Sequence, residues 1–280
     1  MVRIITDSAA DFEPKELREK NIICIPLTVM FGDEEYQENV NLSKDQFYEL
    51  LLSREDLPKT SQASPQVLLD LFEDAVAAGD EAVYLTISSG ISGTYQTALS
   101  TRSMVEGEGC YVLDTLDATG GQRMLVEYAV KLRDEGKTAA QIVEAVEAIR
   151  SRIVLYACID TLEYLYKGGR ISRTAYTLGS MAQIKPIIRV DEEGGIEVPA
   201  KAMGMRKGMD LLCKKVEQIP RSREFPFYVM YTNKRVVAEK LAEKIRELGI
   251  EVSDDRIIQV GAAIGAHVGP DACGFVYVKE

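Results

Sequence analysis

Short, almost uninterrupted apolar runs alternate with amphipathic stretches along this 280-residue chain, and no other feature constrains the fold as tightly. "VRIIT" (2–6), "EAVYLTI" (81–87) and "CYVLDT" (110–115) lack the polar alternation of a strand with one wet face. Such runs predict strands covered by helices on both sides, and so a mainly parallel sheet. The covering helices carry their own punctuation. Ser43 precedes "KDQFYELLL", and Ser64-Pro65 opens "QVLLDLFEDAVAA", which Gly79 closes. A capping serine, a proline at the first helical position and a glycine past the last are the expected helix ends. Two further helices, "GGQRMLVEYAVKLRDE" and "TAAQIVEAVEAIRSR", join through Gly136, and "IICIPLTVMF" (22–31) reads as one extended stretch.

A second lobe is expected from about residue 155. "IKPIIRV" and "IEVPAKA" flank the turn "DEEGG" and predict a hairpin, followed by helices and strands ending in "GFVYVK". The expectation is a two-lobed α/β fold, residues 1–155 and 156–280, with a cleft between the lobes as a favoured ligand site.

Several function classes drop out on composition and spacing. A net charge of −11 argues against broad nucleic-acid binding or docking on an anionic membrane. No apolar run approaches the roughly 18 residues a membrane span needs. The N-terminal stretch carries Asp7, Asp11 and Glu13 where a secretory signal would be apolar, so a cytoplasmic protein is expected. Five cysteines without a CxxC pair read as reduced core residues. With one histidine, no metal site is expected. A nucleophile elbow would need glycine at 94, where Thr94 stands, and neither nucleotide-binding glycine pattern occurs.

Ligands of open parallel sheets bind beyond the carboxyl ends of the strands. Four polar clusters are expected there: "TDSAAD", "KTSQASP", "SSGISGTY" and "GAAIGAHVGP". The third offers the hydroxyls of Ser88, Ser89, Ser92 and Thr94 at a helix N-terminus, a natural anion site. Its plainer reading is a serine-capped turn. "KTSQASP" places Thr60, Ser61 and Gln62 ahead of Ser64, and is otherwise a polar loop. His267 sits in a glycine-dense loop, although a lone histidine is usually structural. In "YKGGRISR", glycines stop a helix before Arg170, which on the structural reading pairs with a carboxylate elsewhere. A Ser92, Asp114 and His267 arrangement keeps an esterase or thioesterase open.

In this order and at these lengths, "TDSAAD", "KTSQAS", "SSGISGTYQTA", "LEYLYKGGRIS", "IKPII" and "GAHVGPDA" resemble the DegV family, the fatty-acid-binding subunits of bacterial fatty acid kinase. The resemblance implies a two-lobed fold burying a long-chain fatty acid in an apolar tunnel, with "TAYTLGSMAQI" (174–184) nominated for its wall. It implies that Thr60, Ser92 and the Gly93 amide bond the carboxylate, with His267 beside it and Ser61, Ser89, Thr94 and Arg170 behind. It implies no catalysis by this chain and no cofactor besides the bound fatty acid. A separate ATP-dependent kinase, similar to dihydroxyacetone kinases, would convert the carboxylate to an acyl phosphate. One departure stands out: Met203 occupies the place where many members carry an arginine, with Lys201 and Arg206 as alternative cations. A binding module and a serine hydrolase therefore stay open as readings from different classes.

Overall fold

The computed structural model describes residues 1–177 and 183–280, so part of the nominated wall segment, residues 178–182, lies outside the described residues. β1 (Val2–Asp7) passes through a short 3-10 turn into α1 (Pro14–Glu19), and β2 (Ile22–Ile25) follows. The stretch 22–31 is not one strand. Pro26 cannot donate to a ladder. The chain leaves the first sheet there, and β3 (Thr28–Phe31) pairs antiparallel with β4 (Glu34–Gln37). α2 (Lys44–Ser53) begins on a capping box in which Ser43 accepts the Gln46 N–H and Gln46 reaches back. β5 (Lys59–Ser61) then returns to the free edge of β3 and completes a three-stranded sheet. α3 (Pro65–Ala77) has its proline at the first position, but Ser64 makes no side-chain cap bond.

β6 (Glu81–Thr86), α4 (Thr94–Arg102), β7 (Cys110–Asp114), α5 (Thr119–Asp134) and α6 (Ala139–Arg150) finish the first half. The order β2-β1-β6-β7 is parallel throughout, as expected. Adjacent Ile4 and Ile5 show why the strand sequence does not alternate. Both are fully buried, Ile4 among α5 and α6 side chains and Ile5 among those of α3 and α4. Burying each such side chain contributes about 1.5–3 kcal/mol, and a charge at either position would break one helix layer from the sheet.

β8 (Ile153–Cys158) opens the second sheet, so the chain changes sheet between α6 and β8, and the division at 155/156 runs through this strand. After α7 (Glu163–Lys167) and α8 (Arg173–Thr177) come β9 (Ile184–Val190) and β10 (Ile196–Met203), the expected hairpin. α9 (Gly204–Gln218), β11 (Tyr228–Tyr231), α10 (Arg235–Glu247), β12 (Ile257–Gln259), α11 (Ala262–Val268) and β13 (Cys273–Val278) follow. The six strands run in the order β10-β9-β8-β13-β11-β12, and only β11 and β12 are parallel neighbours. One face packs on α9 and α10 through Leu212, Leu241 and Ile245.

The "GAAIGAHVGP" stretch is not a loop: α11 runs through it. Its small residues let it cross to the first half of the chain. Ala262 and Ala266 pack with Val29, Phe31, Phe47 and Tyr48, and a side chain at Gly265 would press 2.7 Å from the Phe47 ring. Among the described residues no helix is long and apolar enough to cross a membrane. All five cysteines are free, and Cys110, Cys158 and Cys273 are buried.

Candidate ligand-binding site

Between the parallel sheet and the six-stranded sheet lies a cavity of about 430 Å³. Thr60, Ser61, Gln62, Ser92, Gly93, Arg170 and His267 line it together with aliphatic side chains such as Leu155, Leu165, Ile188 and Ile264. The polar members come from four separate elements, and the fold brings each one in for a local reason.

β6 ends at Thr86, and the chain turns through Ser88–Gly93 into α4. Ser88 is buried; its hydroxyl donates to the Gly194 carbonyl (2.8 Å) and accepts the Gly90 N–H (3.0 Å). A Cβ on Gly90 would lie 2.6 Å from the Gly194 carbonyl carbon, so only glycine lets this loop rest on the β9–β10 turn. Ser92 Oγ lies 2.9 Å from Thr94 Oγ1 and accepts the Thr94 N–H at 3.2 Å. Gly93 caps α4 without a side-chain cap bond, and the first turn of the helix carries the positive end of its dipole.

Thr60 comes from β5, where sequence reading expected a loop; it stands opposite Val29 on the ladder with β3. The strand fixes its direction. Its hydroxyl meets His267 Nε2 at 2.8 Å. His267 lies in the last turn of α11, and its Nδ1 is buried and has no hydrogen-bond partner among the described residues. A side chain on Gly168 would collide with that nitrogen, so the α7 glycine makes room for the ring. Burial, and then the charge of Arg170, push the His267 pKa down to about 4. The imidazole is neutral at physiological pH.

Arg170 follows Gly169, whose φ of +76° ends the α7 turn. It does not pair with a carboxylate. Nε donates to the Ile91 carbonyl (3.1 Å) and Nη1 to the Gly168 carbonyl, and among the described residues no ion pair forms. Burial alone lowers its pKa, the direction expected of a guanidinium without an anion beside it.

Of the residues expected in support, Ser61 lines the cavity, whereas Ser89 and Thr94 do not. Ser89 is exposed and its N–H donates to Asp114 Oδ1 (3.2 Å); Thr94 is buried, with its hydroxyl 2.9 Å from that of Ser92. The hydrolase arrangement is not assembled. Asp114 accepts backbone N–H groups of Ser89 and Leu116, His267 meets Thr60, and Ser92 meets Thr94. The "TDSAAD" cluster also falls outside the cavity. Asp7 turns inward to accept the Ile87 N–H (2.8 Å) and the Gln122 amide (3.0 Å). Among the described residues no three His, Cys, Asp or Glu side chains stand together to hold a metal ion.

Sequence reading did not find the floor of the cavity. In the second sheet, Met230 stands opposite Gly274, Gly274 opposite Ala157, and Ala157 opposite Ile188. All four line the cavity. The row is recognisable only once the strand register is known.

A two-lobed α/β fold holding a largely apolar cavity, with hydroxyl, amide and guanidinium donors among its lining, is the architecture of a DegV-type protein. The family model described as an uncharacterised protein of the DegV family matches residues 1–280, and the chain belongs to that family. A DegV domain-containing protein of Halalkalibacterium halodurans is 35% identical over 282 residues, covering 100% of this chain and 99% of that one. One from Caldanaerobacter subterraneus is 32% identical over 282 residues with the same coverage. Among solved structures, a fatty-acid-binding DegV family protein from Streptococcus agalactiae superposes with a TM-score of 0.89 at 27% identity. DegV of Bacillus subtilis, described as a fatty acid binding protein, does so with 0.84 at 29%. Each comparison covers 100% of this chain and 99% of the other.

Proposed function

We propose that the cavity takes up a long-chain fatty acid, tail along the aliphatic walls and carboxylate at the polar end. The observation that carries this reading is the lining itself: hydroxyls of Thr60 and Ser92, the α4 N-terminus at Gly93 and Arg170, which forms no ion pair among the described residues, border a space whose other walls are mainly apolar. A buried carboxylate is costly alone and tolerable where several donors converge on it. Thr60, Ser92 and the Gly93 N–H donate to it, His267 stands behind Thr60, and Arg170 supplies positive charge. The tail supplies affinity. At about 0.8 kcal/mol per buried CH₂, a sixteen-carbon chain offers on the order of 10 kcal/mol before entropy is charged against it. The fatty acid binding named for two structural neighbours supports the same ligand class.

The chain then acts as a carrier that presents the carboxylate to a separate ATP-dependent kinase, which forms the acyl phosphate. Lys201 and Met203 share the exposed face of β10, and Arg206 is exposed in the first turn of α9. In this reading Lys201 and Arg206 provide the positive charge for docking that Met203 does not.

The test is native against denatured mass spectrometry of gently purified protein. A released mass matching a saturated or monounsaturated fatty acid, diminished in the Thr60→Ala/Ser92→Ala double variant, is the expected result. An empty protein that also fails to take up added oleate would sink the proposal. Acyl phosphate formed only when oleate-loaded protein, kinase and ATP are combined is the result expected for the carrier role.

A further inference from the structure

Three backbone N–H groups at the start of α11 are held by two buried carboxylates from distant parts of the chain. The Gly261 N–H donates to Asp11 Oδ1 (2.8 Å), the Ala262 N–H to Glu38 Oε1, and the Ala263 N–H to Glu38 Oε2 (3.4 Å). Asp11 and Glu38 are each 1% exposed. Gly261 has a φ of −81°, open to any residue, so it is glycine for space. A Cβ there would run into Glu38 Oε1 and stand 3.0 Å from Asp11 Oδ1.

The surroundings hold both carboxylates in place. Ser8 donates its hydroxyl to Glu38 Oε2 (2.7 Å). Buried Lys44 donates to the Asp11 carbonyl (2.8 Å) and to Glu13 (2.7 Å), and Arg123 reaches the same Asp11 carbonyl (3.4 Å). Tyr48 fastens the preceding residue by donating to the Val260 carbonyl (2.9 Å). Cys24 is a further titratable neighbour of Glu38, its thiol pushed up by burial and then by the charges of Asp7 and Glu38. Burial raises both carboxyl groups, Asp11 to about 8, with Lys44 opposing the rise. Among the described residues Asp11 Oδ2 has no partner, and it is the oxygen left to carry a proton.

α11 has seven residues, too few to hold a helical shape unaided. Its last turn carries His267, about 8 Å along the axis from Ala262. We propose that Asp11 and Glu38 are positioning residues: by fixing the first turn of α11 they place His267 against Thr60 and so set how firmly the cavity holds an anionic headgroup. The proposal rests on the fatty-acid reading only in its last step. Free carboxylate oxygens at a helix start satisfy donors that water would otherwise have to reach. Without them the first turn frays, and the ring at the other end loses its fixed place.

His267 is the only histidine, so one imidazole signal reports the ring without ambiguity. In ligand-free Glu38→Ala and Gly261→Ala proteins, NMR titration should find the His267 pKa raised from about 4 to above about 5 as water reaches the ring. Oleate should bind about fivefold or more weakly, the scale of a lost helix cap. Glu38→Gln, which keeps the shape and one acceptor oxygen, should move both readouts less and in the same direction, and it decides the matter if the alanine variant does not fold. As a control for a merely structural role, Ile142→Ala on α6 should lower Tm and leave the His267 titration unchanged. Folded clamp variants with wild-type His267 titration and oleate affinity would overturn the proposal, as would an equal His267 shift in Ile142→Ala. If the wild-type protein takes up no oleate, the fatty-acid reading fails, while the ligand-free titration still decides the clamp.

Discussion

Thr60 and His267 stand 207 positions apart in sequence, and their side chains meet at 2.8 Å at the polar end of the cavity. The pair joins an edge strand of the three-stranded sheet to the last turn of α11, and both elements pack on β3. Because the ring is neutral and its Nδ1 has no partner among the described residues, Nε2 is the ring nitrogen engaged there. An anion that takes the Thr60 hydroxyl proton as its hydrogen bond leaves Thr60 Oγ1 free to accept from Nε2–H. Each bond polarises the next, and the chain strengthens toward the anion.

Replacing Thr60 by valine keeps the branched shape favoured in a strand and removes only the hydroxyl. A hydrogen bond to a charged group contributes about 1.5–3 kcal/mol, so the variant should bind oleate about ten- to a hundredfold more weakly. Ser92→Ala should fall in the same range. Titration calorimetry measures both, and unchanged affinity in both would put the carboxylate elsewhere.

His267 should titrate near pH 4 in the ligand-free protein, well below an ordinary histidine. Burial is the larger cause and the Arg170 charge the smaller. Arg170→Gln should therefore raise the pKa while leaving it below 6.5. The linkage has a definite sign. A histidine depressed on folding contributes stability above pH 6.5 that is lost as pH falls toward 4, and Arg170→Gln should narrow that window. NMR of the single imidazole, with melts at pH 7 and 4.5, checks both statements. A His267 pKa unmoved by Arg170→Gln would mean that the guanidinium charge is not felt at the ring.

The parallel sheet was legible in the sequence because Ile4, Ile5, Val83 and Tyr84 are apolar on both faces, which only two helix layers explain. β5 was not, since three polar residues on an edge carry no pattern. α11 was hidden by its alanines and glycines, which leave no apolar stripe to reveal a helical period. Small polar residues beside a helix start suggest anion chemistry before any contact is known, and Thr60 and Ser92 both line the cavity. The same logic misplaced Asp7 and Asp11. Side chains that hold buried backbone and side chains that meet a ligand have the same composition, and only the direction in which they point separates them. Asp114 illustrates the limit: a strand-end carboxylate is equally suited to orient a histidine or to tie a turn, and here it ties the turn.

Asp117 is buried and, among the described residues, its carboxylate bonds only the Ala118 N–H (2.8 Å). Burial raises its pKa from 3.8 to about 7, eased by that single bond. A carboxyl raised on folding contributes stability that is complete below pH 3.8 and lost as pH rises through 7. Asparagine keeps the acceptor oxygen and carries no charge. Asp117→Asn should thus match wild type near pH 4 and grow more stable by comparison toward pH 8, by at most about 4 kcal/mol. Urea denaturation at pH 4.5, 6 and 8 reads the trend. A gain that does not change with pH would show that Asp117 does not titrate in this range.

The row Met230, Gly274, Ala157 and Ile188 forms a shallow saddle, with its two smallest residues paired across β13 and β8. Gly274 cannot be enlarged without displacing the sheet, since a Cβ there would stand 2.5 Å from the Tyr156 carbonyl. Ala157 shares a face of β8 with Leu155, two residues before it, and both line the cavity, so a larger side chain at 157 takes up room on that side of the sheet. Ala157→Leu adds three carbons to the floor and removes room an acyl chain would use. Palmitate should lose affinity by roughly 0.8 kcal/mol for each CH₂ displaced, about tenfold for two, and a ten-carbon acid, with six fewer carbons to place, should lose less. Competition between decanoate and palmitate measures the change in preference. Equal losses for both acids would place the tail along another wall.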